Sequence, residues 1–115
     1  MSLYVYLNIK VDTGGDELHS LELYESTITH NLGAMAESVG LYQHLWRPEE
    51  MGISKARHLI EPLRDGIKKL EDDSRSAKGH NPPNGWGNYD DLLNFCRRYL
   101  IACLENPKAA VEVCR

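Results

Sequence analysis

The chain has 115 residues, with 13 Lys+Arg against 17 Asp+Glu, a formal charge of −4 and a pI near 5.7. Its length suits one hydrophobic core, its 42% apolar and 26% charged shares exclude a chain disordered throughout, and its acid excess argues against non-specific nucleic-acid binding. The opening Met1-Ser2-Leu3-Tyr4-Val5 lacks the basic n-region and long apolar run of a signal peptide or membrane span, so a cytoplasmic protein with no membrane partner is expected.

In chain order, Leu3, Val5, Leu7, Ile9 and Val11 alternate with Tyr4, Tyr6, Asn8, Lys10 and Asp12, the period of a half-buried strand. Thr13-Gly14-Gly15-Asp16 is a turn signal, and the alternation from His19 to Tyr24 completes an antiparallel hairpin. This period puts Tyr4, Tyr6 and Tyr24 opposite the main apolar set, as an aromatic patch for a ligand or as cross-strand packing. Residues Glu25 to Asn31 leave the sheet, and Thr29 or Asn31 supplies a cap for the helix that follows. Leu32, Met35, Ala36, Val39, Tyr42, Leu45 and Trp46 recur on its inward side; Gly40 ends or kinks it and Arg47-Pro48 stops it.

A second helix, capped by Ser54, carries Ala56, Leu59, Ile60, Leu63, Ile67 and Leu70 on its apolar stripe, with Pro62 as a kink or a new start. The charged run from Glu71 to Gly79 ends it in an exposed connection. Asn88 caps a third helix with Asp90 and Asp91 in its first turn and Leu92, Cys96, Tyr99, Leu100 and Cys103 inward. Asn106-Pro107 breaks that helix, and Ala109 to Cys114 alternates as a terminal strand that pairs with the hairpin. The expected fold is one α+β domain over residues 1–115: a small antiparallel sheet packed by three helices in two layers, order ββαααβ.

The most constrained stretch is Asn81-Pro82-Pro83-Asn84-Gly85-Trp86-Gly87-Asn88-Tyr89, where two prolines and two glycines bracket a tryptophan in a stiff, bent loop. It and the junction Thr29-His30-Asn31 each precede a helix N-terminus. If the two converge, free amides and helix dipoles favour an anionic group, Asn31, Asn84 and Asn88 hydrogen-bond it, and Trp86 or Tyr89 stacks on it. His30, Asn31, Asn81, Asn84, Trp86, Asn88 and Tyr89 are therefore the expected ligand-binding residues. The blander account makes the asparagines caps and turn formers and Trp86 a plug at the core edge.

No catalytic residue, resident metal or cofactor is called for. His19, His30, His44, His58 and His80 form no His-Glu-x-x-His or i,i+4 pair, although His30 and His80 flank the two loops. Glu49-Glu50 and Asp72-Asp73 sit in polar stretches that would not raise a carboxyl pKa, and no phosphate-loop, dinucleotide or nucleophile-elbow signature occurs. Cys96 and Cys103 lie about 10 Å apart along one helix at 1.5 Å per residue, too far to bridge each other. A bond from either to Cys114 is left open, against the reading of buried free thiols in a reducing compartment.

Taken together, Ile28-Thr29-His30-Asn31, Leu45-Trp46-Arg47-Pro48-Glu49, the Asn81–Tyr89 loop and Val111-Glu112-Val113 resemble an uncharacterised family of small tailed-phage and prophage accessory proteins, along nearly the whole chain. The resemblance carries over no activity, cofactor or site. It implies a context: an accessory protein in the bacterial host cytoplasm, acting against a host defence or metabolic system. The expected function is a non-catalytic binding protein for a host protein or a small anionic, nucleotide-like ligand. A small metal-dependent hydrolase using His30 and His80, and a virion structural or assembly protein, are the alternatives. A free strand edge would also allow a homodimer.

Overall fold

The structure, a computed structural model, describes residues 1–115. Strand β1 (Ser2–Val11) lies between β2 (His19–Thr29) and β3 (Ala110–Cys114), and both neighbours are antiparallel to it. A 3-10 turn at His30–Leu32 leads into α1 (Gly33–Ser38) and α2 (Tyr42–Trp46), and a second 3-10 turn spans Pro48–Met51. The longer helices are α3 (Arg57–Asp72) and α5 (Tyr89–Glu105), with the short α4 (Ser74–Lys78) between them. The architecture is the two-layer α+β arrangement expected from the sequence, with the helices on one face of a three-stranded sheet.

Leu3, Val5 and Leu7 of β1 are wholly buried and share one continuous core with Leu59, Leu63 and Leu70 of α3 and Leu92, Cys96 and Tyr99 of α5. Strict alternation fails in β2. Leu7 faces Tyr24 while Asn8 faces Glu22, so Leu23 is an extra residue, a β-bulge that reverses the phase of the strand. Tyr24 therefore lies on the core side, stacked on Tyr99 at 5.9 Å, which corrects its expected outward position. Leu23 is left exposed instead.

Two helix boundaries also differ from expectation. The helix from Leu32 to Trp46 is broken at Gly40, whose φ of +76° lets the chain turn between α1 and α2. Ser54 caps nothing: it lies in an extended segment whose carbonyl accepts from the Val111 amide, and α3 begins at Arg57. This segment covers the first half of the outer edge of β3. Pro62 lies inside α3, which runs on through it.

β3 begins where Ala110 meets Asn8, so the hairpin beyond Ile9 has no third strand. From Asp12 to Leu23 every residue is exposed, and the molecule measures 53 × 27 × 22 Å. The hairpin projects as an arm. No helix is long and apolar enough to cross a membrane.

Candidate functional site

The two junctions singled out in the sequence do meet. β2 ends under the 3-10 turn, where the Thr29 hydroxyl accepts a hydrogen bond from the Asn31 amide at 3.3 Å. The proline-rich loop runs back across this turn, and Gly87 packs so closely that a Cβ there would stand 2.7 Å from Thr29 Cγ2 and 3.1 Å from Leu32 Cγ. With a φ of +95° as well, the position admits glycine alone without strain.

Between them lies an open cleft of about 290 Å³, bordered among others by Thr29, Leu32, Trp86, Asp91, Asn94 and Arg98. Trp86 is 71% exposed, so its indole stands at the rim rather than plugging the core.

Of the seven expected binding residues, Trp86 is the one that borders the cleft. Asn84 Oδ1 accepts from the Trp86 amide at 3.0 Å, which fixes the bend carrying the indole. Asn81 Oδ1 accepts from the Tyr89 amide at 2.9 Å, closing the loop, and the buried Tyr89 hydroxyl donates to the Leu70 carbonyl at 2.6 Å. Asn88 and Asp91 form a reciprocal capping box: Asn88 Oδ1 accepts from the Asp91 amide and Asp91 Oδ2 from the Asn88 amide, both at 3.0 Å. His30 turns the other way, where its Nδ1 accepts from Trp46 Nε1 at 2.9 Å. Asn31 is exposed and its side chain makes no hydrogen bond within the chain.

These local hydrogen bonds set the electrostatics of the site. The capping box satisfies amides of the first turn of α5, and Asp90 and Asp91 offset the positive end of its dipole. With the Asp91 carboxylate on the same lining, the positive charge bordering the cleft is that of Arg98. Its neighbour Arg97 is paired with Glu71 at 2.7 Å, whereas Arg98 has no carboxylate partner. The Thr29 hydroxyl, having accepted from Asn31, still has its proton to donate, while the Thr27 hydroxyl has spent its own on the Leu3 carbonyl at 3.0 Å.

Asp91, Asn94 and Arg98 were not among the expected residues, yet they had a sequence signal. They sit three and four apart on one polar flank of α5, the spacing that aligns side chains along a helix. No three of the chain's histidine, cysteine and carboxylate side chains converge on a point that would hold a metal ion. The cysteines are free: Cys96 and Cys103 are buried and Cys114 is exposed. No protein-family model, no curated protein and no solved structure matches this chain.

Proposed function

We propose that this protein is a non-catalytic binding protein, a phage accessory factor acting on a host system, whose ligand is a small anion carrying a planar ring, such as a nucleotide. The observation that supports this reading most is the pairing, across one cleft, of an exposed indole with an arginine that has no partner in the chain. The indole stacks the ring, Arg98 takes the phosphate through paired N–H groups, and Thr29 and Asn94 add hydrogen bonds. None of the bordering groups is placed as a nucleophile beside a general base, so the chemistry assigned to the cleft is recognition.

The context comes from the phage-family resemblance of the sequence. Trp and Arg are also the residue types that anchor protein interfaces, which keeps a host protein as the second class of partner.

The test is a tryptophan-fluorescence titration with nucleoside mono-, di- and triphosphates. Saturable quenching is expected, abolished in Trp86→Ala and weakened at least tenfold in Arg98→Gln. If no nucleotide quenches the wild type, the small-ligand reading is wrong. Cross-linking of a host protein that is lost in both variants would then identify the partner.

A further inference from the structure

The projecting arm is the part of the molecule that its own chain leaves uncovered. A two-stranded ribbon has little stability in water unless its apolar side is packed. Leu18, Leu21 and Leu23 are 58%, 48% and 38% exposed on it, and Ile101 and Leu104 at the C-terminal end of α5 are 56% and 46% exposed. Tyr24 stacks on Tyr99, so the strand and helix run past each other and these leucines lie toward the same end of the molecule as Ile101 and Leu104. An uncovered apolar surface of this kind marks an interface.

The charges identify the occupant. Toward its tip the arm carries Asp12, Asp16 and Glu17, none of them paired with a cation, while Glu22 lies at the root, opposite Asn8. At its root, Lys10 and Lys108 border a groove of about 330 Å³ together with Glu112, which accepts from Asn8; neither lysine is paired. Lys55 and Arg57 belong to the neighbouring segment, tied to the turn before β3 by the Arg57 amide on the Pro107 carbonyl and by the bridge between Lys55 and Ala110. An acidic tip and a basic root on one arm are complementary under a two-fold axis, because antiparallel arms set the tip of each against the root of the other.

We infer that the protein forms a symmetric dimer in which two arms lie antiparallel. The Asp16-Glu17 tip of each copy enters the Lys10–Lys108 groove of the other, and the leucines and the α5 ends are buried between them. The fifteen residues from Ile9 to Leu23, with those at the end of α5 and the root, approach the roughly 20–30 residues a side of a standard interface. The bulge at Leu23 and the carboxylates of Glu22 and Glu25 disfavour simple edge-to-edge extension of the sheet through β2, so the contact is arm on arm. The cleft borders the opposite end of β2, at Thr27 to Thr29, and stays open.

The experiment is sedimentation equilibrium of the full chain in low and high salt, with circular dichroism confirming the fold of each variant. The wild type is expected to be a dimer that loosens with salt. Asp16→Lys with Glu17→Lys, and separately Lys10→Glu with Lys108→Glu, should each be monomeric. The four substitutions together should restore the dimer, which a misfolded protein would not do. Leu21→Ser with Leu23→Ser should also be monomeric. A monomeric wild type overturns the inference, as does a dimer that either charge reversal leaves intact or that the combined variant fails to restore.

Discussion

Gly87 is wedged against Thr29, with no room for a methyl group between the loop and the strand end it covers. Gly85, two residues earlier, is the natural comparison: its φ of +75° is also positive, but a Cβ there would meet nothing within 4 Å. Gly85→Ala should cost only the backbone strain of a left-handed alanine, about 1–2 kcal/mol. Gly87→Ala carries the same strain plus overpacking, for a total of roughly 2–5 kcal/mol, and should pull the loop from Thr29. Urea denaturation of the two variants measures the difference. Equal losses would mean that the loop does not rest on the strand end.

The hydrogen bond from Trp46 Nε1 to His30 Nδ1 ties the 3-10 turn to α2, and the Trp46 ring is stacked on Tyr42 at 5.2 Å. His30→Ala leaves a buried indole N–H without an acceptor, at a cost of about 1–3 kcal/mol. His30→Asn places a carbonyl oxygen near the position of Nδ1 and should recover much of that loss. Asn31→Ala, one residue on and exposed, should change stability by no more than about 0.5 kcal/mol. The near-ultraviolet dichroism of the Tyr42–Trp46 pair reports the same order: altered in His30→Ala, unchanged in Asn31→Ala.

Asn88 is the cap whose geometry the sequence foretold, because a short polar side chain before Asp90 and Asp91 can accept from the helix's free amides. Asn88→Ala should therefore destabilise the protein by about 1 kcal/mol, read from the thermal midpoint, and Asn88→Asp should recover most of it. An unchanged midpoint in Asn88→Ala would mean that the capping box contributes nothing.

The same local rules explain what the sequence made legible. Alternation from Leu3 to Val11, the helical stripe from Leu59 to Leu70 and the cap at Asn88 depend on neighbours within a turn or two, and all three stand in the structure. Tyr24 could not be placed this way, because one extra residue at Leu23 reverses the strand and nothing in its composition announces a bulge. The loop asparagines have side chains short enough to bond their own backbone, and each spends its Oδ1 on an amide of the loop or of the first turn of α5. The spacing of Asp91, Asn94 and Arg98 was legible as one flank of α5, but that this flank borders β2 and Trp86 emerged only from tertiary packing.

Cys96 and Cys103 have no exposed surface, and burial pushes each thiol up to about 12. Cys114 is exposed on β3. A disulfide exchange reagent at pH 8 should therefore titrate one thiol quickly in the native protein and three once it is unfolded. The raised values also fix a pH dependence. Below the ordinary thiol value near 8.5 both states keep the proton, and stability should be flat. Above it the unfolded chain releases protons that the folded chain retains, so stability falls as pH rises toward 12, by up to about 1.4 kcal/mol per thiol for each pH unit. Burial raises the Tyr99 phenol as well, which adds a loss of the same sign at higher pH. Urea midpoints from pH 7.5 to 10.5 should hold level and then drop, and Cys96→Val should roughly halve the drop between pH 9 and 10. A midpoint that stays level to pH 10.5 would require the two thiols to ionise inside the folded protein as easily as in water.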